Sequence, residues 1–266
     1  MTPSQTVATG APPERAPQDD ALQGPALQGP ALQGRVVLVA GAHGGLGQAA
    51  SLAAARAGAT VVLLGRKVPK LNRVHDAIVR DGGEALLYPL DLEGATPDDY
   101  LELAQRIAEG PGRLDGLLHC AADFRGLTPL EHVDPADFAR TLHVDVTARW
   151  WLTQACLPLL RAAPDAALVF AVDAEAAGGG PYWGAYGLAQ AALTALVSTL
   201  HEELRNSAVR VCGLAPGPLR TPLRAKAYVQ EEDVLAREPD ALAPACVHLL
   251  SAAGADQRGR VWSPPA

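Results

Sequence analysis

The stretch Val36-Val-Leu-Val39, running into Ala40-Gly-Ala-His-Gly-Gly-Leu-Gly47, decides the fold. Its first four residues are apolar without alternation, the pattern of a strand covered on both faces. Glycines at 41, 45 and 47 follow at once, and an alanine-rich run to about Ala57 reads as a helix. A strand that feeds a helix through such a turn can seat a pyrophosphate. The glycines let the backbone come close, and the helix start offers free amides and its positive dipole end. Gly41, Gly45 and Gly47, with His43 and Leu46 among them, are therefore candidate dinucleotide contacts. A tight strand–helix turn without a ligand is the plainer reading of the same residues.

Strand and helix signals alternate outward from this turn. Strands are predicted at Thr60–Leu64, Ala85–Tyr88, Leu114–His119, Ala167–Val172, Val209–Cys212 and Arg260–Trp262. Helices are predicted at Lys67–Arg80, Pro97–Ala108, Pro135–Arg161, Trp183–Arg205 and Pro239–Leu250, with Asp134 as an N-cap. Repeated βαβ order with right-handed crossovers gives a Rossmann-type doubly wound parallel sheet, three layers α/β/α, over residues 31–266. Residues 1–30 are rich in Pro, Gln, Ala and Gly and read as a flexible tail. They hold two copies of Ala-Leu-Gln-Gly-Pro, at 21–25 and 26–30, before Ala31-Leu-Gln-Gly-Arg35 enters the first strand.

The 266 residues are 48% hydrophobic with a net charge of −7, which fits a globular chain and favours neither nucleic acid nor an anionic membrane as partner. No apolar run is long enough to span a bilayer, and no basic start precedes an apolar stretch, so a cytoplasmic location is expected. Cys120, Cys156, Cys212 and Cys246 form no CxxC pair and no zinc pattern, and read as reduced core thiols; no metal site is expected.

The second strand ends in Leu64-Gly65-Arg66-Lys67. An acidic residue near this point would hold the ribose diol of NAD. Arg66 instead offers a planar fork to a 2′-phosphate, which favours NADP(H) over NAD(H). A solvated helix start is the alternative for Arg66 and Lys67.

Several motifs together resemble the short-chain dehydrogenase/reductase family over residues 33–263. They are the spacing Gly41-x-x-x-Gly45-x-Gly47, the run Trp183-Gly-Ala-Tyr186, and Val209-Arg-Val211 before Pro216-Gly217 and Thr221. The resemblance implies that Tyr186 is the catalytic tyrosine, that Asp91 holds the adenine ring, and that Pro216, Gly217 and Thr221 cover the nicotinamide. It also exposes departures. The positions of the family's lysine, serine and asparagine are Gln190, Asp173 and Asp145; Ala40 and Cys120 replace polar groups around the cofactor.

The physics of these departures can be sized. A free phenol has a pKa of about 10, and bringing it to about 7 takes roughly 4 kcal/mol of stabilisation of the phenolate. Gln190 carries no charge to supply it. An ionised Asp173 opposes it, and cannot donate to a developing alkoxide. Carbonyl–alcohol hydride transfer is expected to be weak or lost. The plainer roles are a packed aromatic for Tyr186 and a loop carboxylate or N-cap for Asp173; His119 and His143 read as satisfied histidines. Two functions stay open: an NADP(H)-dependent oxidoreductase acting on an unidentified small molecule, and a non-catalytic NADP(H)-binding sensor or structural partner of an active homologue. The resemblance further implies a homo-oligomer formed through helices 135–161 and 183–205, whose apolar faces, including Trp150, Trp151, Leu193 and Leu196, are long enough to bury against both the sheet and a partner.

Overall fold

The apolar runs of the sequence form seven strands in the computed structural model, which describes residues 30–228 and 236–265. In chain order the elements begin β1 (Val36–Ala40), α1 (Gly45–Arg56), β2 (Thr60–Gly65), α2 (Val68–Arg80), β3 (Glu84–Pro89), α3 (Pro97–Glu109) and β4 (Gly116–His119). They continue α4 (Pro135–Leu142), α5 (Ala148–Ala162), β5 (Ala166–Ala171), α6 (Ala174–Ala177), α7 (Gly184–Leu204), β6 (Val209–Leu214), α8 (Ala243–Leu250) and β7 (Val261–Trp262).

All strand pairs are parallel, in the order β3-β2-β1-β4-β5-β6-β7. The order reverses between β1 and β4, which opens a crevice at their carboxyl ends. One face of the sheet packs against α1, α2 and α8 through residues such as Leu46, Leu71 and Leu249. The other packs against α3, α5 and α7 through Leu103, Leu152 and Leu193. β1 is buried along its whole length, as its unbroken apolar run requires. β3 is an edge strand, and Leu86 and Leu87 on it are exposed.

The expected tail lies, apart from Pro30, outside the described residues. The lead-in after it belongs to the domain: Leu32 is fully buried and its amide donates to the Ala57 carbonyl at 2.8 Å. Among the described residues no helix is long and apolar enough to cross a membrane. All four cysteines are free.

Two expected helices differ. The stretch 135–161 is not one helix: α4 and α5 are joined by a wide π-type turn, His143–Thr147, in which the Ala148 amide donates to the carbonyl of His143 five residues back. Asp134 caps α4 as expected, accepting from Ala136 at 2.8 Å and Asp137 at 3.2 Å. The stretch 239–250 begins as a 3₁₀ turn, Pro239–Leu242, before α8.

Candidate active site

The glycine turn is built by contacts that exclude side chains. Gly41 has φ +84°, and a Cβ there would lie 2.6 Å from the Ala121 amide nitrogen after β4. A Cβ on Gly47 would lie 2.2 Å from the Gly41 carbonyl oxygen, and one on Gly45 would lie 2.6 Å from the Thr221 methyl. No side chain caps α1, so its first amides remain free for a ligand. A cleft of about 490 Å³ opens above this turn. His43 and Leu46 line it with the glycines, as do Arg66, Asp91, Pro216, Gly217 and Thr221. Each expected cofactor residue therefore faces one space.

Basic groups gather where β2 ends. Arg66, Lys67 and Lys70 line the cleft around His43, whose pKa is lowered first by burial and then by these three cations. Arg66 also lies 3.8 Å from both Asp91 and Glu93. Lys70, in the first turn of α2, was not singled out in the sequence. The buried Nδ1 of His43 has no partner among the described residues. A side-chain-free cradle, free amides and a cationic end fit a dinucleotide with a further phosphate.

At the other end stand the residues expected around a reacting group. Tyr186, on the first turn of α7, donates its hydroxyl to Asp173 at 3.4 Å. Asp173 caps α6, accepting from the Ala176 amide at 3.1 Å, so the N-cap reading and the site reading both hold. Gln190 is buried, and its side-chain carbonyl accepts the Asp173 backbone amide at 2.9 Å. All three line the cleft. Burial raises the Tyr186 pKa well above the ordinary phenol value; Asp173 and Asp145 push it the same way, and Arg149 opposes them. Burial and the two carboxylates thus favour the neutral phenol over the phenolate.

Asp145 alone of the expected group does not reach the cleft wall. It is fully buried in the π-type turn, where one oxygen accepts the Asp123 amide at 2.7 Å and the other has no partner among the described residues. Burial raises its pKa to about 7, against the attraction of Arg149. His119 is an interior histidine but only half satisfied: Nε2 lies 3.0 Å from the Thr153 hydroxyl and the ring stacks on Phe170, while the buried Nδ1 has no partner among the described residues.

The residue that sequence reading missed is Arg149. It is 1% exposed, yet its guanidinium reaches the cleft floor and donates to the carbonyls of Ala121 and Ala171, at the ends of β4 and β5. The signal was present: a lone arginine between Ala148 and Trp150, one turn after Asp145. A charge in that apolar setting requires fixed partners.

Known proteins place this arrangement. The family model for short chain dehydrogenase matches residues 35–232. The uncharacterized oxidoreductase YciK of Escherichia coli K12 is 36% identical over 217 residues, covering 81% of this chain and 86% of the relative. A short chain dehydrogenase structure from Pseudomonas syringae is 40% identical with a TM-score of 0.85, covering 90% of this chain and 97% of that one. One from Escherichia coli CFT073, complexed with NADPH, is 34% identical with a TM-score of 0.85, covering 88% and 98%. One from Shigella flexneri 2a, complexed with NADP, is 32% identical with a TM-score of 0.85, covering 89% and 99%. With its strand order, its glycine turn at the switch point and this match over most of its length, the chain belongs to the short-chain dehydrogenase family of oxidoreductases.

Proposed function

We propose that this protein binds NADP(H) in preference to NAD(H) and acts as an oxidoreductase whose carbonyl–alcohol chemistry is weak. The NADP and NADPH complexes of its structural relatives support the first part, as do Arg66, Lys67 and Lys70 around His43. The second part rests on one observation: Tyr186 donates to a carboxylate, and the residue one turn later, Gln190, is committed to the backbone of that same Asp173. No cationic side chain hydrogen-bonds the phenol among the described residues; Arg149, whose charge acts on it, is committed to the carbonyls of Ala121 and Ala171. When bound, the reduced cofactor supplies a hydride to an electrophilic carbon. Tyr186 and Asp173 orient what is reduced, the glycine turn holds phosphates, and Pro216 and Gly217 line the same cleft.

A homo-oligomer through α5 and α7 belongs to the same proposal. Trp150 and Leu188 on these helices are 44% and 49% exposed, an apolar surface suited to a second copy. The non-catalytic reading draws on the Gln190–Asp173 hydrogen bond, which ties up the position that would otherwise carry a cation.

Calorimetric titration with NADPH and NADH tests the cofactor assignment. NADPH is expected to bind more tightly, and Arg66→Ala to reduce that preference about tenfold. Equal affinities in the parent protein would end it. Consumption of bound NADPH with a carbonyl panel, in the parent and in Tyr186→Phe, separates a slow oxidoreductase from a binding protein.

A further inference from the structure

The reacting end of the cleft combines a carboxylate with an aromatic wall. Phe124, Trp183 and Tyr186 form a cluster with ring centroids 4.8–6.0 Å apart, and Tyr228 adds an edge 6.5 Å from Trp183. All four line the cleft beside Asp173. Aromatic rings and a carboxylate lining one space are complementary to a cation: ring quadrupoles attract it and the carboxylate fixes its position.

The charges at this end leave Asp173 in a singular place. Asp123 is paired with Arg125 at 3.0 Å. Glu175 accepts from the Tyr228 hydroxyl at 2.7 Å and lies 4.0 Å from Arg224, which itself stands 4.1 Å over the Tyr228 ring. Lys226 donates to the Phe124 carbonyl at 2.6 Å. Arg149 is committed to two backbone carbonyls. Asp173 has only the Tyr186 hydroxyl and the Ala176 amide, and no ion-pair partner among the described residues.

We propose that the site takes a cationic carbon–nitrogen double bond, a protonated imine or an iminium ion flanked by an apolar ring, rather than a neutral carbonyl. This rests on the NADP(H) oxidoreductase reading. Carbonyl reduction builds negative charge on oxygen and needs a proton delivered there; a carboxylate beside it is unfavourable. An iminium ion starts positive and ends neutral. Its carbon gains a C–H bond, the π electron pair moves to nitrogen, and a neutral amine forms. The reductant is the reduced nicotinamide nucleotide, and no proton is drawn from the protein. Neither a lysine to activate the tyrosine nor a hydroxyl donor to an alkoxide has work to do in that reaction. One substrate class thus accounts for Gln190 and Asp173 together. The aromatic wall and Asp173 hold the cation, while Tyr186 orients the carboxylate.

The test uses a matched set of ring compounds on the full-length protein. N-methyl-dihydroisoquinolinium is a permanent iminium ion and α-tetralone a carbonyl of similar size. N,N-dimethyl-tetrahydroisoquinolinium is a cation that cannot be reduced. The last, titrated calorimetrically, is expected to bind, and to bind about tenfold more weakly to Asp173→Asn and to Trp183→Leu. With NADPH, over the protein-free rate, the iminium ion is expected to be reduced about tenfold or more faster than α-tetralone, and Asp173→Asn to narrow that ratio. A ketone preferred or reduced equally well overturns the proposal, as does a ratio unmoved in Asp173→Asn. NADPH binding without reduction of either compound removes the substrate assignment. Failure to bind NADPH removes the oxidoreductase reading instead, and the calorimetric arm then decides the cation site alone.

Discussion

Gln190 accepts the backbone amide of Asp173 at 2.9 Å, so two residues that line the reacting end of the cleft are tied to each other. A lysine at 190 would keep the one-turn spacing from Tyr186 but could not accept. Gln190→Lys alone is expected to lower stability by about 1–3 kcal/mol, the cost of a buried donor left without a partner. An unchanged denaturation midpoint would mean that the amide finds another acceptor. The triple variant Gln190→Lys, Asp173→Ser, Asp145→Asn is expected to gain α-tetralone reduction more than the single changes together, because the groups act as a unit. Addition of Tyr186→Phe should abolish the gain.

Asp145 links stability to pH. Its carboxyl titrates at about 7 in the fold and at 3.8 in the unfolded chain. Between those values the folded state holds a proton that the unfolded state has lost, so stability falls as pH rises through the window. The gap corresponds to on the order of 4 kcal/mol. Asp145→Asn keeps an acceptor for the Asp123 amide and removes the titration. The variant should match the parent near pH 4, pull ahead up to about pH 7, and hold a constant lead above. Urea midpoints that run parallel across the series would contradict this.

Arg149 spans the ends of β4 and β5 from beneath. Arg149→Met keeps most of the volume but strands the Ala121 and Ala171 carbonyls, and is expected to cost about 2–5 kcal/mol. It also removes the cation that restrains Asp145. The falling limb of the same pH series should therefore extend to higher pH in Arg149→Met. A limb that ends where the parent's does would show that the guanidinium and the carboxyl are uncoupled.

The lead-in to β1 is part of the core. Leu32→Ala is expected to destabilise by about 2–5 kcal/mol, as for other fully buried leucines. Removal of residues 1–29 should leave the melting temperature unchanged. The comparison tests whether the domain begins at the third copy of the repeat.

The sheet was legible in the sequence because its strands are short, unbroken apolar runs, such as Val36–Val39, that local composition identifies. The cofactor end was legible because glycine reports a backbone requirement directly: Gly41 and Gly47 stand where a Cβ would collide with main-chain atoms. The reacting end was only half legible. Tyr186, Asp173 and Gln190 were expected to meet, but their hydrogen-bond directions depend on α6, a single turn too short to announce itself in composition. Arg149 escaped because reading a helix for its apolar face discards the charge on it. The π-type turn escaped because one additional residue leaves the hydrophobic pattern on either side intact.

That turn makes the site sensitive to length as well as to chemistry. An ordinary helix advances about 100° per residue. The wide turn spreads over five residues, His143–Thr147, about the rotation that four residues cover in an α-helix, so it absorbs one residue without turning α4 against α5. Deleting one residue there would restore ordinary helical bonding and keep both apolar stripes facing inward, yet the carboxyl of Asp145, or the spacing that sets it under the Asp123 amide, would be lost. A three-nucleotide deletion in the corresponding codons is thus expected to spare the packing of α4 and α5 and to strike the buried carboxylate alone.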